Sequence, residues 1–138
     1  DPSLSQYLPV YSATFNDYAR RTLKYDSLLP YEVLSDKVRP WNFGEDGQGY
    51  LSVADNLRSA MVKNPSLKAL FASGYFDLAT PYFATDFTIN RLNLSDDLRA
   101  NIRHTYYQGG HMMYHVASEL AAFKADLADF IREALPKP

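Results

Sequence analysis

The chain has 138 residues, 46% hydrophobic and 22% charged, which is the composition of a folded globular domain and not of a disordered segment. Its 14 basic and 16 acidic residues give a formal charge of -2 and no basic stripe for a phosphate backbone. No cysteine is present, so disulfides, zinc–thiolate sites and a cysteine nucleophile are excluded. No apolar run reaches the ~18 residues that span a bilayer. Neither nucleic acid nor a membrane is therefore an expected partner.

The first part of the chain predicts one helix followed by irregular structure. Apolar and aromatic side chains near helical spacing indicate a helix over residues 9–23. Residues 26–49 carry prolines and glycines without a steady period, so we expect a loop with at most one helical turn, at 31–34. We place residues 1–40 in a helical, cap-like segment and residues 41–138 in a second domain portion.

The second portion alternates helical and strand patterns. The expected elements are a helix over 52–63 with a cap at Ser52 and Asp55, a strand over 67–74, a helix over 81–92, a strand over 102–110 and a helix over 117–135. Two strands joined by a crossover helix form a parallel pair. The sequence therefore predicts an α/β fold with two parallel strands and flanking helices, in the order αβαβα.

Polar residues follow both expected strands. The segment GYFDLATP, residues 74–81, follows the first strand, and GGHMMYH, residues 109–115, ends the second. Parallel strands bring their carboxyl ends to one rim, where the chemistry of such sheets lies. We therefore expect Asp77 and His111 to meet there, with the two glycines before His111 letting the backbone turn sharply out of the strand. An aspartate and a histidine are two thirds of a Ser–His–Asp triad, but no G-x-S-x-G motif supplies the serine.

Two segments carry a family resemblance. SGYFDLATPYFATDFTI at 73–89 and GGHMMY at 109–114 resemble the motifs around the catalytic aspartate and histidine of the serine carboxypeptidases, including their bacterial carboxypeptidase-like branch. The resemblance covers residues 41–131. Two positions depart from the family pattern: Tyr75 stands where a second acid is common, and Tyr114 where a proline is common.

The resemblance implies that this chain is the carboxyl-terminal part of an α/β-hydrolase. In the intact enzyme Asp77 would orient His111, His111 would act as the base for an upstream serine, and Met112 would line the substrate site. The implied reaction is removal of carboxyl-terminal residues from peptides, without metal or cofactor, by a secreted or periplasmic protein. The chain opens DPSLSQ without an initiator Met, and by itself it is expected to be inactive. Its expected partners are the peptide substrate and either the missing amino-terminal part or a second copy at an exposed strand edge.

Several simpler interpretations remain open. Asp77 could be an ordinary turn residue, because aspartate favours such positions. His111 and His115, one helical turn apart, could ligate a metal, although the stretch between them offers no carboxylate. Met112 could serve packing alone. His104 is expected to point to solvent or a loop. Two other function classes are a non-catalytic binding module and another α/β-hydrolase, an esterase or an acyltransferase.

Overall fold

The computed structural model describes residues 2–29, 31–42 and 52–135. The chain divides into two compact units, residues 1–49 and 50–138, whereas the sequence pattern placed the division after residue 40. Within the described part of the chain, no helix is long and apolar enough to cross a membrane.

The first unit begins with a helix that is longer than expected. Helix α1 spans Pro2–Asp17 and continues as a π-helical turn over Tyr18–Thr22. The start predicted at residue 9 is wrong because Pro9 lies inside the helix and not in its first turn. A proline there removes the hydrogen bond to the carbonyl of Ser5, and Ser5 is exposed, so water can satisfy that carbonyl.

The segment after α1 is mostly irregular, as predicted. The helical turn predicted at 31–34 is wrong, and a 3-10 turn forms instead at Asp36–Val38. Ser35 starts this turn, since its hydroxyl accepts the backbone N–H of Lys37 at 3.3 Å. Residues 43–49 of the predicted loop lie outside the described residues.

The second unit has the predicted α/β class and element order. Its elements are α2 (Ala54–Lys63), β1 (Ala69–Gly74), α3 (Tyr82–Asn90), the short α4 (Asp96–Arg99), β2 (Ile102–Tyr107), a 3-10 turn (Met113–His115) and α5 (Ala117–Ala134). Strands β1 and β2 are parallel, in a register that runs from Ala69 opposite Ile102 to Gly74 opposite Tyr107. This confirms the two parallel strands with flanking helices. Helix α4 was not predicted, and the expected Ser52 cap is wrong because Val53 is the residue that precedes α2, without a side-chain cap.

One face of the sheet packs on the main core. Met61 of α2, Ile89 of α3, Leu92 and Ile102 of β2 form a buried cluster on which Phe71 of β1 also packs. Met61 has no exposed surface and Ile89 only 2%. Burial of side chains of this size is worth roughly 1.5–3 kcal/mol each, so this cluster anchors α2 and α3 to the strands.

Helix α5 covers the opposite face. Successive strand residues point to opposite faces, and Tyr107, unlike Tyr106, packs edge to face on Phe123 of α5 with ring centroids 5.7 Å apart. The Tyr107 hydroxyl donates to Asp126 of α5 at 2.8 Å. The two strands are thus held between α2 and α3 on one side and α5 on the other, which fixes the rim from which both site loops leave.

Candidate functional site

The loops after β1 and β2 are joined by backbone hydrogen bonds at the carboxyl rim of the sheet. Gly74 and Tyr107 are the last residues of the two strands and lie opposite each other. Beyond them, the Tyr75 N–H donates to the Tyr107 carbonyl at 3.0 Å, and the Phe76 N–H donates to the Gly109 carbonyl at 2.9 Å. The backbone of the first loop is therefore hydrogen-bonded to that of the second as far as Phe76, the residue before Asp77.

Two glycines allow this close approach. A Cβ on Gly74 would clash with the backbone carbonyls of Gly109 and Gly110, and a Cβ on Gly109 would lie 2.7 Å from the Met113 Cα. At Gly110 the nearest atom to a Cβ would be the Phe76 carbonyl oxygen at 3.9 Å, an ordinary contact. None of the three glycines has a left-handed φ. The backbone bends directly after β2, and the Gly109 N–H donates to the Tyr107 carbonyl at 2.9 Å. Close packing is a further reason for Gly109, and the sequence pattern did not single out Gly74.

The two loops bring Asp77 and His111 together. Nδ1 of His111 lies 2.8 Å from Oδ2 of Asp77. An ionised carboxylate only accepts hydrogen bonds, so the imidazole donates from Nδ1 and its Nε2 is left as an acceptor. This is the tautomer that a histidine needs in order to take a proton from a hydroxyl.

Asp77 is buried and held by several donors. Its side chain is 6% exposed, and Oδ1 accepts the backbone N–H groups of Ala79 and Thr80 at 2.8 and 2.9 Å. Burial opposes ionisation, but the hydrogen bonds from Thr80, His111 and Ala79 outweigh it and hold the pKa of the Asp77 carboxyl well below its usual range. Asp77 is thus also the turn residue of the simpler interpretation: Oδ1 forms the turn, and Oδ2 contacts the histidine.

The partner imidazole is open to its surroundings. The His111 side chain is 65% exposed. A buried, ionised carboxylate therefore orients an exposed ring whose second nitrogen is available to another molecule or chain segment. Chemically, such a pair can accept a proton from an approaching hydroxyl and stabilise the imidazolium that results.

Met112 and His115 follow His111 in the chain. Met112 is half-buried next to His111, whereas Met113 is 7% exposed and belongs to the packed interior. His115 ends the 3-10 turn, its ring edge to face with Tyr114 at 5.2 Å. Among the described residues, no three His, Asp or Glu side chains converge in a way that could hold a metal ion.

A second polar network lies inside the unit, and the expectation for His104 was wrong. The His104 side chain is 7% exposed. Its Nδ1 lies 2.9 Å from Oδ1 of Asp86 on α3, and its Nε2 lies 2.9 Å from the hydroxyl of Ser73 on β1. The Tyr106 hydroxyl donates to the same Asp86 oxygen at 2.6 Å. Strand alternation places Ser73, His104 and Tyr106 on the face that α3 covers, which was the signal available in the sequence.

This network has the connectivity of a triad but not the setting of one. Ser73 lies within a strand, is 8% exposed, and offers little surface to a substrate. Asp86 takes part in two hydrogen bonds, and the one from Tyr106 is the main cause that lowers its pKa. The same bond, with burial, raises the pKa of Tyr106 to about 12. We interpret the network as a buried polar clamp that ties α3 to both strands.

Three tyrosines border this clamp at the rim. The rings of Tyr75, Tyr82 and Tyr106 contact one another with centroids 5.2 to 5.8 Å apart. Tyr75 and Tyr106 are 40% and 37% exposed, so this aromatic cluster forms part of the surface. Edge-to-face and offset ring pairs of this kind stabilise a structure by about 0.5–1.5 kcal/mol each beyond their area.

Comparison of the chain with protein-family models, with curated proteins and with solved structures finds no match.

Proposed function

We propose that this chain is the carboxyl-terminal portion of an α/β-hydrolase of the serine carboxypeptidase type, and that it supplies the aspartate and the histidine of a Ser–His–Asp triad. The supporting observation is the contact of 2.8 Å between Asp77 Oδ2 and His111 Nδ1 at the shared carboxyl rim of two parallel strands. The proposed reaction class, removal of carboxyl-terminal residues from peptides, rests on the resemblance of both loops to the carboxypeptidase motifs.

In the proposed mechanism, Asp77 stays ionised and His111 moves the proton. His111 Nε2 takes the proton of a serine hydroxyl as that oxygen attacks the scissile carbonyl, and it later returns the proton to the leaving amine. Asp77 stabilises the imidazolium between these steps. Its lowered pKa suits this role, because the carboxylate keeps its negative charge at pH values well below the usual range of an aspartate.

The serine is proposed to lie in a part of the encoded protein other than residues 1–138. The G-x-S-x-G pattern does not occur in the sequence, and Ser73 is engaged by His104. A base without a nucleophile and an oxyanion hole retains little activity. The 138-residue chain alone should therefore not react with a fluorophosphonate.

The proposed partner contact is the outer edge of β1. Ala69 and Tyr75 donate their N–H groups toward β2, at 3.0 Å each, so strand alternation turns the backbone groups of Leu70 and Ala72 to the other edge. Within the described residues the sheet has only two strands, and Ala72 is exposed. We propose that this edge pairs with the remaining sheet of the intact protein. In the isolated chain it would pair with a second copy, which sedimentation would detect.

The decisive experiment compares the full encoded protein with its Asp77→Asn and His111→Gln variants on N-blocked peptides. Both substitutions should lower kcat by about 10⁴-fold, because each removes one function of the same triad. His115→Gln is the matched control, since it alters a neighbouring histidine outside the proposed triad and should leave kcat within a few-fold.

The alternatives predict other outcomes. Hydrolysis of esters without peptide trimming would assign the chain to another class of α/β-hydrolase. Absence of fluorophosphonate labelling in the full encoded protein, with ligand affinity unchanged by either substitution, would overturn the proposal and favour a binding module.

A further inference from the structure

The Asp77 oxygen that faces His111 has a second donor. The Thr80 hydroxyl donates to Asp77 Oδ2 at 2.5 Å, while His111 Nδ1 lies 2.8 Å from the same atom. The Thr80 hydroxyl oxygen and His111 Nδ1 are themselves 3.4 Å apart. The two donors, the Thr80 hydroxyl and His111 Nδ1, therefore share one acceptor, Asp77 Oδ2.

The other carboxylate oxygen is held by the backbone. Ala79 and Thr80 donate their N–H groups to Oδ1 at 2.8 and 2.9 Å. These two bonds alone would leave the carboxylate free to tilt about Oδ1, because the terminal torsion of aspartate is broad. The Thr80 hydroxyl supplies the donor on the second oxygen, so it restricts the direction in which Oδ2 points.

We propose that Thr80 is a positioning residue, whose hydroxyl fixes the Asp77 carboxylate so that Oδ2 aligns with His111 Nδ1 and holds the imidazole in its Nδ1–H tautomer. The alignment stands on the geometry alone, while its catalytic meaning rests on the proposed function. Thr80 itself touches no substrate in this inference and acts only through Asp77.

Two opposite effects follow from loss of the hydroxyl, and their sizes decide the expected result. With one donor fewer, Oδ2 becomes a somewhat better acceptor, which favours the bond to His111. Against this, the Thr80 hydroxyl makes a charge-assisted hydrogen bond, which is stronger than one between neutral groups, and its loss frees the carboxylate to turn toward water. The second effect is larger, so the Asp77–His111 bond should loosen.

The experiment measures the tautomer of His111 by ¹⁵N NMR on the uniformly labelled 138-residue chain, at a pH where the imidazole is neutral. Thr80→Val is close to isosteric and lacks the hydroxyl, while Thr80→Ser retains it. We expect Thr80→Val to lower the ratio of the Nδ1–H to the Nε2–H form by about threefold to tenfold, and Thr80→Ser to stay within twofold of the parent chain. His104 and His115 serve as internal references, and loss of one signal in His111→Gln assigns the resonances.

A second measurement covers the case in which Thr80→Val fails to fold. In the unsubstituted chain at low temperature, the Thr80 hydroxyl proton should be visible and protected from exchange, and Asp77→Asn should abolish that protection. An unchanged or increased Nδ1–H fraction in folded Thr80→Val, or a freely exchanging Thr80 hydroxyl in the unsubstituted chain, would overturn the inference. Neither readout involves catalysis, so an inactive full-length protein would refute the proposed function and leave this inference standing.

Discussion

Replacement of His104 by phenylalanine tests the buried polar clamp. Phenylalanine keeps a ring that can pack against Phe71 and Tyr106, whose rings lie 6.2 and 4.2 Å from that of His104. It removes the two hydrogen bonds to Asp86 and Ser73, each 2.9 Å long. The perturbation is therefore a loss of polar contacts with little change in packing volume.

The two bonds differ in what their loss costs. Ser73 is 8% exposed, so its hydroxyl would be left without a partner in the interior, at a cost of about 1–3 kcal/mol. The Asp86 side chain is 29% exposed and keeps the hydrogen bond from Tyr106, so the loss of its bond to His104 should cost only ~0.5–1 kcal/mol. We expect His104→Phe to lower the free energy of unfolding by roughly 1.5–4 kcal/mol in total.

Urea unfolding followed by circular dichroism measures this change, with an unchanged m-value as the check on two-state behaviour. In thermal unfolding, the melting temperature should fall by at least about 6 °C. Ser73→Ala combined with His104→Phe should be less destabilising than the sum of the single substitutions, because alanine removes the orphaned hydroxyl. The difference should be on the order of 1 kcal/mol. A His104→Phe protein within ~0.5 kcal/mol of the parent would refute the clamp, since that is the range of surface substitutions.

Three further outcomes follow from the site and the rim. Asp77→Asn should destabilise the fold most above pH ~4 and progressively less below it. The reason is that the folded-state pKa of Asp77 lies below its unfolded value, so the stabilisation from the carboxylate is lost as pH falls. Urea midpoints at several pH values check this, and a pH-independent difference between the two proteins would contradict it. Gly74→Ala should lower the free energy of unfolding by more than about 2 kcal/mol, because its Cβ would clash with two backbone carbonyls. Gly110→Ala, whose Cβ would make only an ordinary contact, should change it by no more than ~0.5 kcal/mol. Equal shifts in melting temperature would contradict the close approach of the two loops. Tyr106, with its pKa raised to about 12, should ionise at a higher pH than exposed tyrosines, so the stability that it contributes is lost as pH rises above ~10. Subtracting the 295 nm titration of Tyr106→Phe from that of the parent isolates this ionisation, and an ordinary tyrosine midpoint would contradict the bond to Asp86.

The sequence by itself determined the class of the second unit and the position of its site. Helical and strand periods along residues 52–135 were sufficient for the order of the five main elements, because each amphipathic face is a local property of the chain. The carboxyl ends of two parallel strands predict that Asp77 and His111 meet at one rim, and in the structure His111 Nδ1 lies 2.8 Å from Asp77 Oδ2.

Only the tertiary structure decided which groups surround His104 and Gly74. The partners of His104 lie 18 and 31 residues away in the chain, so no local pattern could distinguish a buried clamp from an exposed ring. Gly74 is required by the backbone of residues 109–110. The Thr80 hydroxyl differs from these two, because its bond to Asp77 spans only three residues and belongs to a local turn. Element order is encoded in neighbouring residues, whereas the contacts of His104 and Gly74 join segments that meet only once the two strands have paired.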